Sequence, residues 1–314
     1  MLHIPSPPTD KVEGYYNSIK VRIDDRLKKS KLAKNIKGYL NEQKIKNIIV
    51  EKPQELFDLH NEFMNMYVNI ATNSERKKAK IIEQIKLVFD YKGIISESKS
   101  TSYELAKITK RNTCTYCNRL YTNIVDYKDP KTKRINNGTR ITRPVFDHWY
   151  CKKDYPLLAL SFYNLIPSCS VCNSSIKGDD EFALKSHIHP FIDNAISDFL
   201  FSYKPKNLHE NEVVLKVNPQ NIKLQKTLHD FKIKEVYDAH SNLELKDLIE
   251  LNEKYNNNYI DTLFNSTFSN LNMKEPEIYR LIFGIESNEN EFYKRPFSKF
   301  KKDIILELRG KNKK

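Results

Sequence analysis

Apolar residues recur every three or four positions through most of the first hundred residues, the spacing that gives a helix one buried face. Over 13–48 the stripe runs through Tyr16, Ile19, Ile23 and Leu27, with Lys28, Lys29, Lys31, Lys34 and Lys37 on or near the polar side. Gly38 marks a break within that span. Pro53 suits the first turn of a following helix, which continues through Leu56, Leu59, Phe63 and Tyr67. Ser74 and Glu75 open another, carrying Ile81, Ile85, Val88 and Phe89, and 103–108 forms a short one. The prolines at 5, 7 and 8 predict a tail that is extended or ordered by docking. Beyond residue 190, "FLFSYKP" and "EVVLKVN" read as a hairpin. Helical spacing returns over 223–268 through Leu224, Leu228, Phe231, Val236, Leu243, Leu248, Leu251, Tyr255, Ile260 and Phe264. The chain ends on a basic amphipathic stretch, "KRPFSKFKKDIILELRGKNKK". These stripes are core far more often than ligand sites.

The period changes in the middle. "RLYTNIVDY" alternates as a strand does, "DPKTKRINNGT" is loop-like with a tight Asn137-Gly138 turn, and "RITRPVFDH" reads as a second strand. "SFYNLIPSC" supplies a further strand or its following loop, and a helix begins over 172–177, which makes β-β-α. The expected fold class is α+β and mainly α-helical: a helical region over 1–105, a small ββα core over 106–190, and a hairpin with helices over 191–314.

Two Cys-x-x-Cys pairs bracket this middle segment: Cys114 with Cys117, and Cys169 with Cys172. A tight knuckle turn points both sulfurs of such a pair at one ion, and two pairs complete the tetrahedral shell of structural Zn2+. The 51 residues between the pairs exceed what a minimal zinc finger uses, so something is folded inside the clip. That insert holds Asp147, His148 and Asn164, and Asn173 follows the last cysteine directly. Cys151 is left over, and reads as a packed thiol with a lesser option at the site beside Asp147 and His148.

The order Cys-x-x-Cys, Asp-His, Asn, Cys-x-x-Cys-Asn resembles the HNH, or ββα-metal, endonucleases. The match covers about a fifth of the chain, with Lys177-Gly178 behind it as is common in zinc-clipped members. "YPLLALSFYNLIPSC" and "IHPFID" are similar to HNH proteins of bacterial anti-phage defence operons. The resemblance implies hydrolysis of phosphodiester bonds, with DNA as substrate and phage defence or restriction as the setting. It implies that His148 takes the proton from the attacking water and that Asp147 and Asn173 hold Mg2+ or Mn2+. Asn164 would orient the imidazole, Lys177 would contact phosphate, and Arg143 and Arg140 would do so more weakly. The third signature residue is Asn173 rather than His, whose neutral amide implies a weaker hold on the ion until phosphate joins it. His187 and His189 stand as alternatives to Asn173, against a structural role in the "HPF" turn. Each of these residues alone would more often be ordinary; their order between two cysteine pairs carries the reading.

Composition narrows the rest. At 39% hydrophobic and 30% charged, the chain suits a soluble protein able to bury a substantial core. It has no run of 18 apolar residues and no secretory pattern at its start, so neither a membrane partner nor export is expected. Cysteines at ligand spacing point to a reducing cytoplasm. Seven glycines leave no Gly-rich phosphate loop of the Walker or Rossmann kind, which argues against ATP hydrolysis and dinucleotide chemistry by this chain; an ATPase or other protein partner would dock on the helical flanks. The net charge of +13 fits a polyanion partner, or a solvated lysine-rich surface. Over 107–143, ten Lys or Arg face two acids, an excess that flanks the expected site. Two other readings stand beside the nuclease: a non-catalytic zinc-stabilised nucleic-acid-binding module, and a partner-docking subunit.

Overall fold

The computed structural model describes residues 1–69, 74–254, 257–268 and 273–310. The stripe over 13–48 becomes three helices: α1 (Thr9–Lys29), α2 (Lys34–Tyr39) and α3 (Glu42–Val50). The chain breaks twice, because Ser30 is extended and Asn41 turns out to cap α3, its side chain accepting the Lys44 amide at 2.9 Å. Gly38 lies one residue inside the end of α2. Pro53 begins α4 (Pro53–Phe63), which widens into a π-helical turn over Met64–Asn69, and α5 (Glu75–Val88) and α6 (Lys99–Thr109) follow. The proline-rich start is docked: the Leu2 amide donates to Thr115 O and the Ile4 amide to Pro190 O, both at 2.8 Å.

The fold is α+β, mainly helical, and its described strands form three separate antiparallel pairs. Strand β1 (Val125–Asp126) pairs with β2 (Arg140–Thr142), and β3 (Val145–His148) with β4 (Leu165–Ser168). Strand β5 (Phe199–Pro205) pairs with β6 (Asn211–Val217), the hairpin expected from its alternation. In the middle pair Asp147 lies opposite Ile166 and His148 opposite Leu165. Helical turns surround these strands because a two-stranded pair cannot cover its own faces.

The expected strand over 119–127 is shorter than its alternation suggests. Asn118 takes a φ of 50°, and residues after it fold back: the Cys114 amide donates to Leu120 O and the Thr122 amide to Asn112 O. The segment serves the first cysteine knuckle instead of a ladder, and only Val125–Asp126 remains strand. Pro144, which has no N–H, separates β2 from β3 where one strand was expected.

After β4 a short π-helix spans Val171–Lys177. Then come α7 (Ile222–Asp230), α8 (Ile233–Asp238), α9 (Lys246–Lys254), α10 (Asn257–Thr262), α11 (Glu275–Phe283) and α12 (Ser298–Leu308). Tyr255, residues 311–314 and the side chains of Ile260 and Phe264 lie outside the described residues. The core is continuous from α1 to α12, and Trp149, Tyr150, Phe162 and Leu165 of the middle segment belong to it.

His60 on α4 is buried against Tyr155, ring centroids 4.7 Å apart, and burial lowers its pKa to about 4. A folded-state value below the unfolded ~6.5 means the unfolded chain takes up more protons as pH falls. The stability is therefore intact above pH ~6.5 and drains away as pH drops towards 4. Replacing the ring in His60→Phe should remove roughly 2 kcal/mol of that acid-side loss. Thermal melts at pH 7 and 4.5 check this: an unchanged difference between the two would rule His60 out as a contributor.

Candidate metal centre and adjoining cavity

The sulfurs of Cys114, Cys117, Cys169 and Cys172 lie within 4.8 Å of one another and all four residues are buried. A tetrahedral zinc–thiolate shell with bonds of about 2.3 Å places its sulfurs roughly 3.8 Å apart, so the cluster has the size and the chemistry to hold a metal ion such as zinc. Two knuckle amides point at the sulfurs: Arg119 N–H donates to Cys117 Sγ and Cys172 N–H to Cys169 Sγ, each at 3.4 Å. Such donors favour thiolate over thiol. The knuckles are fixed from three sides. The Thr115 amide reaches Pro167 O of β4 at 3.3 Å, the Tyr237 hydroxyl donates to Cys117 O at 2.5 Å, and the Phe297 amide to Asn118 O at 2.7 Å.

Beside this cluster, strand β3 delivers Asp147 and His148 to a cavity of about 450 Å³. Asn173 reaches the same cavity from the π-helix, and Arg143 from the turn before β3. Both Asp147 oxygens are engaged: Oδ2 accepts from the Tyr116 hydroxyl at 2.5 Å, and Oδ1 lies 3.4 Å from Lys177 Nζ. Burial raises the Asp147 pKa, an effect that Lys177 and Tyr116 oppose by favouring the carboxylate.

The His148 ring packs edge-on against Tyr91 at 4.5 Å, and its Nε2 lies 3.0 Å from Ala159 O. A carbonyl only accepts, so Nε2 carries the proton and Nδ1 keeps the lone pair. Burial lowers the ring's pKa to about 3, which keeps it neutral.

Asn164 does not touch that ring. Its Oδ1 accepts the Tyr150 amide at 2.6 Å, and its Nδ2 donates to Tyr150 O and Leu158 O at 3.1 and 3.0 Å. It thus staples the loop that bears Ala159, and bears on His148 only through that loop. Lys177 is 3% exposed, donates to His148 O at 2.8 Å and lies over the Phe182 ring. Expected at a phosphate, it is instead the buried counter-ion of Asp147. Arg140 points away, donating to Asn137 Oδ1 and covering Tyr103, and takes no part in the cavity. His187 is bonded to Asp230 and Ser186 and stacked on Phe182, while buried His189 accepts the Phe191 amide; neither lines the cavity.

The sequence reading missed several lining residues, Tyr91, Lys152 and Asp179 among them. Lys152 follows the strand closely enough to have been suspected, and Asp179 follows the positive-φ turn at Gly178. Tyr91 comes from a distant segment with no local signal. Cys151 is buried at the cavity wall, its Sγ 3.8 Å from Asp179 Oδ1.

Replacing Asn164 by Ala strands the Tyr150 and Leu158 groups it satisfies, and should cost about 2–4 kcal/mol in urea unfolding. A loss below 0.5 kcal/mol would show that the loop does not depend on it. Cys114→Ser should lower bound zinc, measured by elemental analysis, from one equivalent towards none and reduce soluble yield. A full equivalent retained in that variant would remove Cys114 from the ligand set. A scan against family models, a search of curated proteins and a search of solved structures each find no match to this chain.

Proposed function

We propose that the chain is a metal-dependent endonuclease of the HNH, ββα-metal kind, hydrolysing phosphodiester bonds in DNA. The observation that carries this reading is one cavity holding a neutral His148 with an unprotonated Nδ1, the oxygen donors Asp147 and Asn173, and the cations Arg143 and Lys152. It lies against a four-cysteine cluster, with β3, β4 and the helix Val171–Lys177 in the β-β-α order the resemblance implies.

The chemistry adds water across a P–O bond, giving a phosphomonoester and a free hydroxyl. His148 Nδ1 takes a proton from the water as its oxygen attacks phosphorus. Negative phosphate entering the cavity favours that proton uptake, because it raises the pKa of a ring that burial had lowered. Ala159 O holds the Nε2–H and so fixes which nitrogen works. Arg143 and Lys152 supply positive charge for the non-bridging oxygens, the task first expected of Lys177. Mg2+ or Mn2+ bound by Asp147 and Asn173 would neutralise charge on the phosphate and on the departing oxygen. Asp147 fits that part: its carboxylate is locked in place by Tyr116 and Lys177, and each of its oxygens keeps a second acceptor site.

A specific observation also favours the non-catalytic module. The pairing of Asp147 with Lys177 and Tyr116 is the kind of buried network that serves structure alone. The helical flanks suit a protein partner such as an ATPase supplied in trans, and a phage-defence setting follows from the resemblance; co-purification tests both. Plasmid nicking with Mg2+ or Mn2+ separates catalysis from binding. His148→Ala should lower the rate about 10²–10⁴-fold with zinc content and melting temperature retained. Undiminished nicking by that variant would refute the role given to His148, and a wild-type chain that binds DNA without nicking it would favour the module.

A further inference from the structure

Strands β1 and β2 and the loop between them form a ribbon, residues 125–142, that stands apart from the other strand pairs. Its loop is ordered by its own bonds. The Tyr127 amide donates to Thr139 O, the Asp129 amide to Arg134 O, and the Lys133 amide to Asp129 O. Its base is moored to α6, where Lys99 Nζ donates to Asn137 O and Arg140 O at 3.0 and 3.1 Å.

The ribbon's charge is one-sided in effect as well as in count. Lys128, Lys131, Lys133 and Arg134 are exposed, and among the described residues their side chains make no ion pair or hydrogen bond. The two acids of the ribbon are occupied. Asp126 pairs with Lys107 at 3.5 Å, and Asp129 accepts the amides of Lys131 and Thr132, which lowers its pKa. Those amides keep Asp129 charged, so the loop sets four solvent-facing cations against one carboxylate. Val125, Tyr127 and Ile141 are exposed on the same ribbon, Ile141 by 64% of its surface. One residue beyond β2 comes Arg143, which lines the cavity of His148.

From this arrangement we infer that the 125–142 ribbon is the chain's grip on double-stranded nucleic acid, its cations on phosphates and its apolar side chains in the major groove. A two-stranded ribbon fits a groove about 12 Å wide, and exposed aliphatic groups meet thymine methyls there. Unpaired lysines and arginine release counterions from a phosphate chain, which an isolated acidic side chain cannot repay to the same extent. The inference rests on the proposed nuclease reading for its substrate class, and adds the surface that holds the duplex.

The test is fluorescence anisotropy of a labelled 20-base-pair duplex with the full zinc-loaded chain over a series of salt concentrations, with plasmid nicking measured in parallel. The variant Lys128→Gln/Lys131→Gln/Arg134→Gln leaves Asp129 and the positive-φ Lys133 in place and should melt as the wild type does. Loss of three phosphate contacts should flatten the slope of log Kobs against log salt by about 2.7, and weaken binding at least tenfold in 0.1 M salt. An unchanged slope while the wild type still nicks plasmid overturns the ribbon's role and leaves the nuclease reading standing. A flattened slope in a chain that never nicks supports the ribbon and removes the nuclease. Equal affinity and equal loss on a single-stranded oligonucleotide overturns the groove assignment. Polyglutamate competing as well as duplex assigns the ribbon to an acidic protein and overturns the inference, as does a wild type that binds no duplex at all.

Discussion

Everything in the middle of this molecule depends on four sulfurs meeting at one point. Cys114 and Cys117 are separated from Cys169 and Cys172 by an insert that has no sheet larger than two strands to hold it. Closing so long a loop costs conformational entropy, and a β-pair of four residues a side does not offset it alone. A metal ion such as zinc held by the four sulfurs would offset it, because its ligand bonds form only in the folded chain and their free energy counts as folding free energy. The clip also has a direction. Thr115 is bonded to the strand β4 that pairs with β3, so the position of the first knuckle sets the position of Asp147 and His148.

On β3, two neighbouring titratable groups meet opposite environments. Burial pushes the Asp147 carboxyl up, and the Tyr116 hydroxyl and Lys177 Nζ oppose that by favouring its carboxylate. His148 is kept neutral by burial against Tyr91, with its tautomer set by a backbone carbonyl. Two neighbouring residues thus bring a carboxyl group pinned by Lys177 and Tyr116 and an imidazole of set tautomer to the wall of a single cavity. In the proposed reaction these are the two groups that hydrolysis requires, and one strand supplies both.

What was legible in the sequence was local. A Cys-x-x-Cys spacing fixes its own knuckle geometry, so the convergence of both pairs followed from two short segments. The same holds for Pro53 at a helix start and for the β5–β6 hairpin, where alternation and turn residues act over a few positions. The misjudged residues are those whose role is set by distant neighbours. Lys177 was expected at a phosphate, because nothing nearby in sequence reveals that its Nζ meets Asp147 and the His148 carbonyl. Asn164 was placed on the imidazole, yet its bonds go to Tyr150 and Leu158. The strand expected over 119–127 gave way to the knuckle, a case of tertiary demand overriding alternation. Tyr91 is brought to the cavity from the segment between α5 and α6, which no motif around Asp147 and His148 could announce.

The large helical flanks have a physical task that a minimal ββα unit leaves open. The loop 149–164, which contains Ala159, is gripped from the N-terminal side. The Tyr15 hydroxyl of α1 donates to Leu160 O at 2.8 Å, the Tyr150 hydroxyl to Pro53 O of α4 at 3.0 Å, and Ser161 to Ile48 O of α3. Displacing that loop would move the carbonyl that holds His148 Nε2–H and free the ring to exchange tautomers or turn. The N-terminal helices therefore act on the imidazole at one remove, through a backbone oxygen. The C-terminal region acts likewise on the sulfur cluster through Tyr237 and the Phe297 amide. Among the described residues the flanks reach the cavity wall only through Tyr91 and Ser96 of the N-terminal one, yet the geometry of both centres depends on them.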